Sequence, residues 1–347
     1  MSSKVSVGII NVTGYIGMEV ARLLHLHPRV KITMVTGRSA KGQKLGEFLP
    51  HLRDIDLTIE GGLDKVDFVF SALPHGENVA PIVAALESGA KAVDLSADFR
   101  LKDAAEYKKW YKVDHSNPDY LKEAVYGLPE LNRERIAGAR LVANPGCYPT
   151  SAILALAPAL KEGLIEPDVI FDSKSGLSGA GRSLTLNTHY AEANENVQAY
   201  ALDGHRHLPE IVQELQALNP RYKLAVTFLP HLVPMTRGIL TSCYAKLKLG
   251  KIAEGDKGKQ EIKKLYQEFY QDEPFVKVVS VPPQTKQTYG NNSCLIYPTV
   301  DIRTNRLIVI SCIDNLMKGG AGQAIQNMNI MLDLPETMGL DMPAVYP

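Results

Sequence analysis

Short apolar runs and helically spaced segments alternate along the first 145 or so positions. Lys4-Val-Ser-Val-Gly-Ile-Ile10 is almost wholly apolar, as expected of a strand buried on both faces of a sheet. A glycine-containing turn follows, and then Met18 to Leu24 places its apolar residues at helical spacing. The strand pattern returns at Val30–Thr36, Val66–Ser71 and Lys91–Leu95, with Asn78–Ser88 reading as a helix between the last two. Strands alternating with helices predict a parallel, doubly wound sheet.

Beyond Thr150 the rhythm changes. Helical spacing over Ile153–Leu160 leads to a strand at Val169–Asp172, and then to longer, mostly alternating stretches at Leu224–Leu229, 238–249 and Arg306–Cys312. With a helix expected over Gln260–Tyr270, these predict an α+β domain whose mainly antiparallel sheet is backed by helices. Gly250–Lys259 reads as a surface loop. A last helix, Ala321–Leu332, lies between Gly319-Gly320 and Pro335. No internal repeat or low-complexity segment interrupts the chain.

Composition narrows the partners. The 347 residues suffice for two domains, and 45% hydrophobic with 22% charged residues is ordinary for a globular protein. Lys and Arg number 38, as do Asp and Glu, so the formal net charge of zero argues against a nucleic-acid partner. Cys147, Cys243, Cys294 and Cys312 are widely separated, which excludes a CxxC metal site and predicts no disulfide framework. The start Met1-Ser-Ser-Lys-Val has no signal-peptide pattern, and no apolar run nears the ~20 residues that span a bilayer. A reducing, cytoplasmic setting without a membrane partner is expected, which would keep a reactive thiol available.

That thiol is Cys147. Apolar Leu141-Val-Ala143 runs into the turn dipeptide Pro145-Gly146, and the helical residues from Thr150 come just after it. An unpaired cysteine is ordinarily a small buried hydrophobe. At a strand-to-helix turn, however, the unpaired backbone N–H groups of the helix favour thiolate and can hold an oxyanion formed after attack. A second cluster is Asp203-Gly-His-Arg-His-Leu-Pro-Glu210. In extended backbone His205 and His207 would share one side, suited to general acid–base work, while no third ligand has metal spacing.

A nucleotide site is also readable. In Asn11-Val-Thr-Gly-Tyr-Ile-Gly17, right after the first strand, Gly14 and Gly17 are spaced as the last two glycines of a dinucleotide-binding turn. That makes the first domain Rossmann-like and places Thr13, Gly14, Tyr15, Ile16 and Gly17 at a pyrophosphate. Asn11 replaces the first glycine and still tolerates left-handed backbone. The second strand ends in Thr36-Gly-Arg-Ser-Ala-Lys41 rather than in an acid. Arg38, Ser39 and Lys41 suit a 2′-phosphate, favouring NADP over NAD. Arg100, in Ser96-Ala-Asp-Phe-Arg100, is a candidate anion fork, and its plain alternative is a salt bridge with Asp98. The glycine-rich Ser175–Arg182 reads as a loop needing close backbone approach, with Arg182 a second anion contact. Another Gly-rich turn, Ile313–Gly322, precedes the last helix.

Taken in order, these runs resemble the N-acetyl-γ-glutamyl-phosphate reductases of arginine biosynthesis, within the larger group of aspartate-semialdehyde and glyceraldehyde-phosphate dehydrogenases. The matching pieces are Thr13-Gly-Tyr-Ile-Gly17, Leu73-Pro-His-Gly76, Leu95–Arg100, Val125–Glu130, Asn144–Thr150, Ser175–Arg182, Gly204–His207 and Asp314–Gly319. The resemblance implies an NADP-dependent enzyme in which Cys147 attacks an acyl phosphate. The thioester is reduced to a semialdehyde, with His205 or His207 as acid/base. It implies further cofactor contacts at Leu73, Pro74, Ser175, Gly176, Asn315 and Lys318, and substrate contacts at Ser96, Asn144 and Gly146 besides the two arginines. Residues 1–146 and 314–347 would form the cofactor domain. Residues 147–313 would form the catalytic domain carrying the contacts of a homo-oligomer, dimer or tetramer. A reductase of carrier-bound aminoadipyl phosphate, a non-catalytic NADP sensor and a cofactor-free thiol hydrolase are the rival readings.

Overall fold

The computed structural model describes residues 4–347, so the expectation for the first three residues lies outside it. The chain divides into two compact units. One ends at Gly146 and takes back Gly320–Met342; the other is Cys147–Gly319 with Pro343–Pro347. Residues 314–319, expected with the first domain, thus group with the second unit, as do the last five.

The first unit is a seven-stranded sheet of β1 (Val5–Ile10), β2 (Val30–Thr36), β3 (Ile59–Glu60), β4 (Phe68–Ser71), β5 (Lys91–Asp94), β6 (Val125–Tyr126) and β7 (Leu141–Ala143). The spatial order is β3-β2-β1-β4-β5-β7-β6, and every pairing is parallel. Strand order reverses direction between β1 and β4, which is where open α/β sheets place ligands. Val7, Ile9, Phe68, Phe70, Val93 and Val142 are fully buried, as strands covered on both faces require. The returning helix Gly322–Met331 buries polar side chains, and two of its asparagines are anchored to neighbouring segments. The Asn327 amide donates to Gly127 O (2.8 Å) and Asn144 Oδ1 (3.1 Å), and Asn329 Oδ1 lies 3.0 Å from His27 Nε2. Cross-segment bonds from these buried amide nitrogens and oxygens favour one docking register for the helix.

The second unit is a mixed sheet of β8 (Ile165–Gly176), β9 (Gln198–Ala199), β10 (Ala225–Val233), β11 (Ile239–Leu247), β12 (Val276–Val278), β13 (Cys294–Asp301) and β14 (Arg306–Ile313). Its order is β12-β13-β14-β11-β8-β10-β9; β8–β10 and β12–β13 are parallel, and the other four pairings are antiparallel. Alternation sorts the faces. Val169, Phe171 and Ser173 of β8 are buried, while Ile170, Asp172 and Lys174 are half-buried on the opposite side. Ser173 and Ser311 share hydroxyl contacts with Thr241 and with Ser151 of the helix Cys147–Lys161. That helix is buried from Tyr148 through Leu160, so it is apolar all round rather than amphipathic.

Three expectations need correction. Ser175 and Gly176 are not loop: both pair with β10, and Ser175 also pairs with β11, and only Leu177–Ala180 turns. The glycine is needed because a Cβ there would stand 2.8 Å from the Thr236 backbone. The 250–259 stretch is not all loop, since a helix begins at Asp256 after Gly255, whose φ is +68°. His205 and His207 lie in a turn rather than in extended chain, with His207 just before the helix Leu208–Leu218 and making no side-chain cap.

Candidate active site

In the first unit the glycine turn follows β1 and leads into the helix Tyr15–His25. Asn11 adopts φ +65°, and its side-chain amide donates to Ala72 O at 2.8 Å, tying the end of β1 to the segment after β4. Gly17 is demanded by packing: a Cβ would meet Asn11 O at 2.3 Å. Gly14 is different. It precedes the helix Tyr15–His25 with φ −85°, and a Cβ would meet nothing nearer than 3.5 Å. The protein itself does not require glycine there, and close approach of a pyrophosphate would. A cavity of about 460 Å³ opens beside this turn, lined by Ile10, Asn11, Gly37, Arg38, Leu73 and Glu77 among others. Asn11, Thr36 and Leu73 place one end of it at the carboxyl ends of β1, β2 and β4, while Leu63–Val66 with Ala84, Ala85 and Ser88 line much of the rest and residues 13–17 do not line it. Arg38 is exposed at this cavity with its guanidinium 2.6 Å from Glu77 Oε2, while Ser39 and Lys41 are exposed nearby in sequence.

Loop 73–76 is held from beneath. Asn78, fully buried, donates to Leu73 O (3.1 Å) and Pro74 O (2.8 Å) and accepts from Ser71 Oγ (2.5 Å). Buried Asp98 accepts from Gly76 N (2.7 Å), Asn78 N (2.9 Å) and Tyr107 OH (2.7 Å). Beside it, burial and then the Asp98 charge push the Asp94 carboxyl up to about 7, against bonds from Ser96. Arg100 reaches backbone carbonyls. It is buried, with Nε on Asn144 O (2.7 Å) and an Nη on Leu95 O (3.1 Å), so it braces the turn that leads to Cys147. Asn144 in turn donates to Gly320 O and accepts from Asn327.

In the second unit Cys147 is the first residue of its helix, half-buried and free of disulfide. This is the helix end where backbone N–H groups lack helical partners. Gly319 lets another segment pass behind it, since a Cβ there would lie 2.8 Å from Cys147 Cβ. The next residue, Tyr148, is buried and joins the thiol to the histidines. Its ring stands edge-on to His205 (5.7 Å) and His207 (6.0 Å), and its hydroxyl donates to His231 O and accepts from Tyr200 OH, both at 3.2 Å. The two imidazoles are 4.8 Å apart. Burial, with the Arg206 charge second, pushes His205 down to about 4; burial pushes the Tyr200 phenol up to about 12. Asn315 is buried with its amide spent on Gly238 N and Ser178 Oγ, and fully buried Lys318 lies 5.8 Å from the Phe275 ring. Arg182 is exposed. The tyrosines and Phe228, which is 5.5 Å from His205, were missed in the sequence. Tyr148 had a signal in its place beside Cys147, whereas Tyr200 and Phe228 arrive from β-strand neighbours that no local motif marks.

A parallel-sheet unit with a dinucleotide turn, coupled in one chain to a mixed-sheet unit opening on a helix-terminal thiol, is the build of a semialdehyde dehydrogenase. The chain matches the family models described as semialdehyde dehydrogenase, NAD binding domain, over residues 6–139, and semialdehyde dehydrogenase, dimerisation domain, over residues 147–315. The fold is shared with aspartate semialdehyde dehydrogenase II of Vibrio cholerae (TM-score 0.72, 16% identity, 96% of this chain and 99% of that one). It is shared as well with the Candida albicans enzyme solved with NADP (TM-score 0.69, 15% identity, 95% of this chain and 99% of that one). Sequence goes further. The N-acetyl-γ-glutamyl-phosphate reductase of Dehalococcoides mccartyi strain CBDB1 is 57% identical over 345 residues, 99% of both chains. That of Desulforudis audaxviator is 48% identical over 99% of this chain and all of its own. The chain belongs to the N-acetyl-γ-glutamyl-phosphate reductase family.

Proposed function

We propose that this chain reduces N-acetyl-γ-glutamyl phosphate to the corresponding semialdehyde and phosphate with NADPH, using Cys147 as nucleophile. The observation that carries the reading is the placement of Cys147 at the N-terminal end of a buried helix, one residue from a tyrosine packed on both candidate histidines. The helix end stabilises thiolate and, after attack, the oxyanion. The Cys147 sulfur bonds the acyl carbon as the bond to phosphate breaks, and the departing phosphate takes a proton from the histidine pair. When bound, NADPH supplies the hydride that reduces the thioester carbon. The thiohemiacetal oxyanion then collapses, breaking the C–S bond and returning the thiolate.

The 2′-phosphate falls to Arg38 and the pyrophosphate to residues 13–17. Leu73 and Pro74, braced by Asn78 and Asp98, supply a rigid wall toward the reacting end. Ser96, Arg100 and Asn144 position the turn before Cys147, and Arg182, exposed after β8, contacts the substrate's charge. The unit matched as a dimerisation domain supports a homodimer formed through the half-buried face of its sheet.

The test is the Cys147→Ser variant, followed by NADPH oxidation with the acyl phosphate. Turnover should fall by at least a thousandfold, and wild-type turnover would remove the nucleophile assignment. Phosphate-dependent NADP reduction, run with N-acetylglutamate semialdehyde beside its aminoadipate analogue, fixes the side-chain length. Faster reaction of the longer analogue would overturn the substrate.

A further inference from the structure

The two histidines are not equivalent. The backbone N–H of His207 donates to His205 Nδ1 at 3.0 Å. A backbone amide can only donate, so Nδ1 must carry a lone pair and the ring proton of neutral His205 must sit on Nε2. This is the one hydrogen bond of the His205 side chain among the described residues, which leaves Nε2–H for a ligand. Four rings stand around this imidazole: Tyr148 at 5.7 Å and 85°, Tyr200 at 5.5 Å and 76°, Phe228 at 5.5 Å and 84°, and His207 at 4.8 Å and 61°. Such packing fixes the ring plane. Among the described residues, the ionisable groups facing it are the Tyr148 and Tyr200 phenols, the His207 imidazole and the Arg206 guanidinium, and no carboxylate acts on it to favour an imidazolium.

We propose that His205 is a fixed donor, presenting Nε2–H to an acceptor oxygen of the acyl phosphate bound beside Cys147, and that it keeps its proton throughout turnover. The proton delivered to phosphate passes through His207. This rests on the acyl-phosphate reading above. A neutral imidazole acting as an electrophile suits a site where charge develops on oxygen, because its tautomer and orientation are set in advance. The low proton affinity of His205 agrees with this: protonating Nδ1 would break the bond to His207 N–H.

The tautomer can be read without turnover. In ¹⁵N-histidine-labelled protein, two-bond ¹H–¹⁵N spectra should show His205 neutral with its proton on Nε2 from pH 8 to about 5.5. A proton on Nδ1, or a His205 titration near 6.5, would overturn the proposal even in an inactive protein. In kinetics, His205→Gln places an N–H near the Nε2 position, and His205→Asn places one near Nδ1. The Gln variant should keep turnover within about tenfold and retain the near-neutral limb of the kcat/KM pH profile, whereas Asn and Ala should lose about a hundredfold or more. His207→Gln should abolish that limb. Equal losses in the Gln and Asn variants, or loss of the limb in His205→Gln, would count against it. Wild-type turnover in Cys147→Ser would instead sink the acyl-phosphate reading and leave the tautomer result standing.

Discussion

Arg38 and Glu77 line one cavity and lie 2.6 Å apart, so a 2′-phosphate must compete with the Glu77 carboxylate for the guanidinium. Removing the competitor should tighten NADPH binding. The Glu77→Gln variant is expected to lower the NADPH Kd a few-fold at low salt, and Arg38→Ala to raise it about tenfold or more, with little change for NADH. Titration calorimetry checks both, and an unchanged Kd in Arg38→Ala would remove it from the 2′-phosphate site. His205 bears on stability as well. Its unfolded value is 6.5 and its folded value about 4. Below pH 6.5 the unfolded chain therefore takes up a proton that the folded chain refuses, and stability falls as pH drops toward 4, by on the order of 3 kcal/mol in full. Urea unfolding at pH 7.5 and 4.5 should show a smaller acid loss in His205→Gln than in wild type; equal losses would mean that the folded ring charges freely. Cys147, Asn11 and the glycines were legible at this scale, because turn chemistry is local. The work of Arg100 was not. A sequence displays a guanidinium but hides the two backbone carbonyls that capture it.

The helix Cys147–Lys161 shows how an element can be right in kind and wrong in extent. Its apolar spacing was readable from Ile153, yet it starts at Cys147, which puts the thiol in the first turn rather than before it. Pro158 lies inside it and supplies no N–H to the carbonyl of Leu154 four residues back. The Tyr270 hydroxyl donates to that carbonyl at 2.6 Å, and Tyr266 does the same for Ala155 O at 2.8 Å. The proline is thus tolerated because the neighbouring helix returns a donor. Tyr270→Phe should cost about 1–3 kcal/mol by stranding a buried carbonyl, measured by denaturant unfolding, with NADPH affinity unchanged. A loss under 0.5 kcal/mol would mean that water reaches Leu154 O. Neither pairing could be inferred from sequence, since the partners lie more than 100 positions apart. The same holds for Ser175-Gly176, where glycine signalled a loop but served close packing between strands.

At the scale of the whole chain, the change from short buried strands to long alternating ones marked the division into two units, because one sheet is covered on both faces and the other on one. The consequence lies on the uncovered face. Helices pack on the side of Val169, Phe171 and Ser311, and the opposite side carries rows such as Ile170, Tyr244 and Ile308, or Leu229, Ile310 and Tyr297, all half-buried. Asp172 and Lys174 pair within that face at 2.5 Å, so these two charges offset each other in cis. A broad apolar face with internally paired charges suits an isologous contact, in which one patch meets its own copy across a two-fold axis. A stable contact of this kind buries about 1,200 Å² or more, which the five central strands can supply. Ile310, pairing with Ser242 on one side and Tyr297 on the other, lies near the middle of the face. A charge there would be buried in the dimer and solvated in the monomer. Ile310→Glu should therefore sediment as a folded monomer at micromolar concentrations where wild type sediments as a dimer or larger. A variant that sediments with wild type would place the contact elsewhere on the chain, because no interface of that size tolerates an unpaired carboxylate at its centre.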